Sequence, residues 1–226
     1  MKIQKFIFAA LAIGVAFSSC KTSGSKSLKT EIDTVSYYLG IAIGKQMQPS
    51  GISGVNYELF AKGFEEAITQ NKDLKLTDEQ VGMYLQTYFQ DLQMKESEKN
   101  AEEGKKYMEE NKKKPGVQTT PSGLQYEVIK QGTGAKPVAE SEVTVHYTGT
   151  TIDGNIFDSS IERGQPATFK LNEVIPGWTE GIQLMSVGSK FKLYIPSELA
   201  YGANPQSPKI KPNSVLIFDV ELLEVK

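Results

Sequence analysis

The chain is poor in the residues that perform covalent and metal chemistry. One cysteine in 226 residues excludes an intrachain disulfide framework and any multi-thiolate metal centre. One histidine leaves little room for a zinc site or for imidazole chemistry at several places. Positive charge is not in excess either: 25 Lys+Arg stand against 27 Asp+Glu, a formal −2, which gives no footprint for nucleic acid. Long apolar runs are missing, and the uncharged stretch Phe6–Phe17 is too short to cross roughly 30 Å of hydrocarbon as a helix. An enzyme with this inventory is expected to work with no metal, no cofactor and no covalent intermediate. What is present, 39% hydrophobic and 23% charged residues, describes a soluble globular chain of one large or two modest domains.

The start of the chain reads as an address. Lys2 and Lys5 precede the apolar run, and the small residues Ser18 and Ser19 follow it. The only cysteine, Cys20, comes directly after. This order is similar to a bacterial lipoprotein signal, in which the thiol is lipidated and becomes the first residue of the mature protein. Residues 1–19 are then a signal peptide, and Cys20 a membrane anchor in the cell envelope, at the periplasm or the outer membrane. Residues 20–30 are small and polar without periodicity, a flexible tether.

From Asp33 the apolar spacing is helical, with Asp33 expected as N-cap of a helix bearing Val35, Leu39, Ala42, Ile43 and Met47. Pro49-Ser50-Gly51 ends it. Asn56 caps a second helix with Leu59, Phe60, Phe64, Ala67 and Ile68 on one face. Thr77 and Gln80 form a capping box for a third, whose stripe is Val81, Tyr84, Leu85, Tyr88, Phe89 and Leu92. Helix formers continue to Asn111, which makes an element of roughly 50 Å. Its second half lacks an apolar stripe and is expected to be a solvent-exposed spacer with acid-to-base pairs such as Glu109–Lys113. Gly40, Gly44, Gly63 and Gly82 lie inside helices, where each costs up to about 1 kcal/mol relative to Ala. Close approach of a second copy explains them, so residues 31–90 are expected to form a homodimer. No catalytic cluster occurs in residues 31–114.

After Pro115-Gly116 the period changes to two. Leu124, Tyr126 and Val128 alternate with polar neighbours, as do Val143, Val145 and Tyr147. Phe191, Leu193 and Ile195 form a third set, and Leu216, Phe218, Val220 and Leu222 a fourth. Pro176–Leu184 has room for one short helix, with Pro176 in its first turn. The outline is an antiparallel sheet wrapped over one small helix.

Five segments then occur in order: Val145-His-Tyr-Thr-Gly149, Ile156-Phe-Asp-Ser-Ser160, Val174-Ile-Pro-Gly-Trp-Thr-Glu-Gly181, Ala200-Tyr-Gly202, and Leu216-Ile-Phe-Asp-Val-Glu-Leu222. The series resembles the FKBP-type peptidyl-prolyl cis/trans isomerases across essentially all of residues 116–226. The helical half and the leader look like the macrophage-infectivity-potentiator and FkpA branch, exported dimers with long arm helices. The resemblance implies an α+β fold: residues 31–114 as an all-α dimerisation domain with its connecting helix, and 115–226 as the isomerase domain.

Rotation about an Xaa-Pro amide meets a barrier of roughly 18–20 kcal/mol, and no bond between heavy atoms breaks. A dry aromatic pocket that holds the prolyl ring favours the twisted amide, whose oxygen carries less charge. The resemblance assigns Tyr147, Phe157, Asp158, Tyr201 and Phe218 to the reacting bond. Phe169, Val174, Ile175, Trp178 and Ile210 are then the walls and floor, with the Ile175 N–H and the Tyr201 hydroxyl holding substrate carbonyls. Ala167 and Gln206 depart from the family pattern and bear on substrate preference and on binding of macrolide inhibitors. The expected partners are proline-containing unfolded polypeptides outside the cytoplasm, a second copy of the chain, and a membrane through Cys20. The alternative is an ATP-independent holdase that grips unfolded chains and isomerises weakly. A Ser-His-Asp hydrolase using His146 lacks the Gly-x-Ser-x-Gly elbow.

Overall fold

A computed structural model describes residues 28–52, 54–69, 76–205 and 207–226. The leader, Cys20 and Gln206 lie outside the described residues. Among the described residues four α-helices and seven strands follow one another as α1 (Glu31–Met47), α2 (Tyr57–Ile68), α3 (Asp78–Asn111), β1 (Val117–Thr119), β2 (Gln125–Lys130), β3 (Glu142–Thr151), β4 (Ile156–Ser159), β5 (Ala167–Lys170), α4 (Pro176–Gln183), β6 (Lys190–Ile195) and β7 (Leu216–Val225). The chain separates into two compact units at Gln46/Met47.

In the first unit α1 starts at a reciprocal cap, one turn different from the reading of Asp33 as N-cap. Thr30 Oγ1 accepts from the Asp33 N–H at 3.1 Å, and the Asp33 carboxylate accepts from the Thr30 N–H at 2.9 Å. Thr30 is therefore the cap and Asp33 the third helical residue: both side chains suit a cap, and the helix begins at Glu31, which gives them these places in a capping box. α1 buries none of its side chains.

In the second unit Asn56 caps α2 through the N–H groups of Glu58 and Leu59, and Thr77 with Gln80 caps α3, both as the residues predict. α2 also buries nothing. Its aromatic and aliphatic side chains face solvent, as do Val81, Tyr84, Leu85 and Tyr88 in the first half of α3, with Tyr57 80% and Tyr84 73% exposed, while Phe89 and Leu92 are half-buried. Nothing stands within 4 Å of an added Cβ at Gly63 or Gly82 among the described residues.

The second half of α3 is not a free spacer. Gly104, Met108 and Asn111 are buried, and Met108 packs with Tyr194 and Val215 while Tyr107 covers them. Asn111 donates to Gln125 Oε1 at 2.9 Å, and Gln125 Nε2 donates back to the Met108 carbonyl at 2.9 Å. These contacts use small and amide side chains, so a search for an apolar stripe passes over them. Glu109 pairs with Lys112 at 2.6 Å, one position nearer than the expected Lys113.

The seven strands form one antiparallel sheet in the order β1-β2-β6-β7-β3-β4, with β5 pairing the lower part of β3 beside β4's segment. Alternation along β3 buries Val143, Val145 and Tyr147 and leaves Thr144, His146 and Thr148 on the other face. α4 lies against the buried face. An added Cβ at Gly177 would meet Ile195 Cγ2 at 2.4 Å, and one at Gly181 would meet Leu193 Cδ1 at 2.8 Å. The two glycines, four apart, let the helix backbone sit directly on β6. Trp178 thereby joins the core beside the sheet.

Candidate active site

Eight of the side chains singled out in the sequence, Tyr147, Phe157, Phe169, Val174, Ile175, Trp178, Ile210 and Phe218, belong to one cluster where α4, the residues before it, β3, β4, β5, β7 and the connection before β7 meet; Asp158 joins it through Tyr147, and Tyr201 lies where it feels the Asp158 charge. Trp178 is the hub: its ring lies 5.0 Å from Tyr147, 5.4 Å from Phe169 and 5.2 Å from Phe218, each nearly perpendicular. Phe157 meets Phe218 edge-on at 5.5 Å. Edge-to-face pairs of this kind each contribute about 0.5–1.5 kcal/mol beyond burial. Trp178 and Phe218, each 4% exposed, are buried, while Phe157, Phe169, Val174 and Ile175 are half-buried against the same cluster. Ile210 is buried in the same cluster, and Tyr201 stands at the rim, 38% exposed.

Register sets these positions. Gly149 of β3 pairs with Asp158 on one side and with Phe218 on the other. An added Cβ there would meet the Phe157 ring at 2.6 Å and the Phe218 ring at 2.8 Å. Gly149 thus leaves the space in which both rings sit. Ile175 precedes α4 and its carbonyl accepts from the Trp178 and Thr179 N–H groups. Trp178 Nε1 is buried with no hydrogen-bond partner among the described residues.

One polar group breaks the aromatic wall. Tyr147 donates its hydroxyl proton to Asp158 Oδ2 at 2.5 Å. Arg163 donates through Nη1 to Asp158 Oδ1 and through Nη2 to the Tyr147 hydroxyl at 2.9 Å, with its guanidinium carbon 5.5 Å from the Tyr147 ring centre. Burial alone would raise the Asp158 carboxyl, but the hydrogen bonds from Tyr147 and Arg163 outweigh it and hold the group below the usual aspartate value. Burial and the Asp158 hydrogen bond push the Tyr147 hydroxyl up. Burial, then the Asp158 charge, does the same to Tyr201. Neither the acid nor the phenols exchange a proton near neutrality, so the group acts as fixed charge and fixed donors.

Arg163 was not among the residues singled out, though the sequence marks it: it is the chain's only arginine, and every other cationic side chain is lysine. Only a guanidinium presents the planar fork that grips a carboxylate and a neighbouring oxygen together. His146 faces away from the site. Its Nδ1 lies 3.2 Å from Ser160 Oγ, a fully buried hydroxyl that also takes the Tyr147 N–H, so no accessible nucleophile accompanies it.

A curved antiparallel sheet on one short helix, enclosing a tryptophan-centred aromatic site with an Asp–Tyr–Arg group, defines the class. The chain belongs to the FKBP-type peptidyl-prolyl cis-trans isomerases: that family's model matches residues 133–223, and the model of the domain amino-terminal to such isomerases matches residues 32–128. Among individual proteins it is similar to the outer membrane protein MIP of Legionella longbeachae, 42% identical with 99% of this chain and 98% of that protein covered. It is 47% identical to the FKBP-type isomerase FkpA of Aeromonas hydrophila over 84% of this chain and 75% of that one. Among solved structures, FkpA from Escherichia coli superposes with a TM-score of 0.68 at 39% identity, covering 88% of this chain and 99% of that one.

Proposed function

We propose that this isomerase turns Xaa-Pro bonds of exported polypeptides in the site above, with Tyr147, Phe157, Asp158, Tyr201 and Phe218 around the rotating amide. Phe169, Val174, Ile175, Trp178 and Ile210 hold the prolyl ring. Unfolded chains carry about 10–30% cis at such bonds and interconvert over tens of seconds or longer. A millionfold acceleration needs roughly 8 kcal/mol of preference for the twisted amide over the planar one. The reading rests on one observation, the perpendicular packing of Tyr147, Phe169 and Phe218 around Trp178, which makes a stiff apolar seat with Asp158 and Tyr201 at its edge. In such a seat a planar amide loses its hydration, and the twisted one, with less charge on oxygen, loses less. The Tyr201 hydroxyl then steadies a substrate carbonyl while the ring stays gripped.

A protease-coupled assay on short Xaa-Pro peptides tests this. Tyr201→Phe is expected to lower kcat/KM about tenfold, the worth of one good hydrogen bond. Phe218→Ala is expected to lower it further. Activity is expected to be flat from about pH 5 to about pH 9, because Asp158 is held below and the phenols above their ordinary values. A bell-shaped profile centred near neutrality would overturn the mechanism.

The exposed apolar faces of α1, α2 and the first half of α3 support a homodimer through residues 31–90. The same faces also favour the second reading, a holdase, which suppression of client aggregation by Tyr201→Phe would separate from isomerisation. The positive start, apolar run and Cys20 support export and lipid anchoring in the bacterial envelope, in keeping with a relative named an outer membrane protein.

A further inference from the structure

Tyr201 and Ile210 sit on a long connection, residues 200–215, with no strand among its described residues. Its own hydrogen bonds are mostly local turns, such as Gly202 N–H to the Ser197 carbonyl and Ile210 N–H to the Ser207 carbonyl. One bond closes its neck, from the Asn213 N–H to the Gly202 carbonyl at 2.8 Å. The segment between is therefore an Ω-shaped loop, held to itself at the base and to something else beyond it.

That something is α3. Asn213 Nδ2 donates to Ser97 Oγ at 2.7 Å, Asn100 Nδ2 donates to the buried Pro212's carbonyl at 2.9 Å, and Lys211 pairs with Glu96 at 3.0 Å. Three consecutive loop residues are thus fastened to three residues on one helix face. Asn213 has φ +54°, the only non-glycine residue with positive φ among those described. That backbone conformation strains most side chains but suits asparagine. The ion pair is exposed and contributes little, so the two amide contacts do the holding. The helix itself is docked on the sheet apart from the loop by Met108 against Tyr194 and by Asn111 against Gln125.

We infer that Ser97 and Asn100, which lie outside the segment matched to the isomerase model, are positioning residues for the active-site loop: through Asn213 and Pro212 they keep Ile210 and Tyr201 set for the incoming prolyl segment. The inference rests on the isomerase reading of the site. A loop that visits other arrangements binds substrate only in the fraction of time it is correctly set, and apparent affinity falls by that fraction. Chemistry in the bound complex, where the loop is held by the substrate, is unchanged.

The test uses the full chain. Kinetics on an Xaa-Pro peptide are compared for the unmutated protein, Ser97→Ala/Asn100→Ala, Asn213→Gly and Ser97→Thr. Trp178 is the chain's only tryptophan and lies in the aromatic cluster, so its fluorescence reports peptide binding without turnover. The double variant and Asn213→Gly, which keeps the φ and loses the amide, are expected to raise KM and the peptide Kd about fivefold, with kcat within about twofold. Ser97→Thr keeps the hydroxyl and is expected to match the unmutated protein. Unchanged KM and Kd in an active double variant, or a fall in kcat at constant KM, overturns the inference and leaves the isomerase reading standing. An inactive unmutated protein overturns both, and is seen before any variant is compared.

Discussion

The two halves of α3 invert what their compositions promise. The first half carries Val81, Tyr84, Leu85 and Tyr88 at helical spacing, and all of them are exposed. The second half is rich in Glu, Lys and Asn, and it alone buries side chains of this helix, Gly104, Met108 and Asn111. A regular apolar stripe thus stands exposed among the described residues, the surface on which the proposed homodimer would close. The intramolecular seam is built from one methionine, one glycine and the amides of Asn111 and Gln125, the first donating to the second and the second to the Met108 carbonyl. Apolar area advertises a contact over a long stretch of sequence, whereas a polar seam depends on a few matched atoms and leaves almost no periodic trace.

Substitutions on the two halves should therefore behave in opposite ways. Met108→Ala empties a packed site and is expected to cost about 2–4 kcal/mol of stability by denaturant unfolding. Leu85→Ala, at concentrations where the chain is monomeric, is expected to stay within about 0.5 kcal/mol. Equal costs at every concentration would erase the distinction between the halves. The glycines sharpen it. An added Cβ at Gly104 would lie 2.9 Å from Val215 Cγ2, so Gly104→Ala is expected to destabilise by about 1–2 kcal/mol through overpacking. At Gly82 the same change meets open space and is expected to stabilise the separate chain by up to about 1 kcal/mol, while weakening self-association in sedimentation.

A smaller effect follows from alkali. Tyr194, in the seam under Met108, has its hydroxyl pushed up to about 12 by burial first and then by the Glu127 charge. A group raised in the folded state favours folding fully below its unfolded value of about 10 and loses that contribution as pH climbs toward about 12. Unfolding midpoints are expected to fall across that window, and Tyr194→Phe is expected to fall less. Parallel curves for the two proteins would remove Tyr194 from the seam's energetics. Smallest of all, Lys211→Ala removes an exposed ion pair to Glu96 and is expected to change stability by under about 1 kcal/mol, fading in high salt.

Local chemistry was largely legible. The Thr77–Gln80 box, the Asn56 cap, Pro176 opening α4 and the in-out alternation of β3 are all consequences of neighbours in sequence. The packing of Tyr147, Phe157, Trp178 and Phe218 together was legible because four of the ordered segments carry them. Three features were not. Thr30 rather than Asp33 caps α1, since either side chain suits a cap and only the backbone decides. Arg163 reaches back to Asp158 and Tyr147 across a turn whose geometry, with Gly164 at φ +74°, no periodicity encodes. The docking of α3 to residues 211–215 joins positions more than a hundred apart, and nothing in either segment alone announces the other.

The solitary arginine has a practical consequence. Because Arg163 is partly open to solvent and has no twin elsewhere in the chain, an α-dicarbonyl reagent selective for guanidines finds a single target. Inactivation is then expected to titrate one-to-one with adduct mass and to slow when an Xaa-Pro peptide is bound, so that covalent labelling would count the proposed sites.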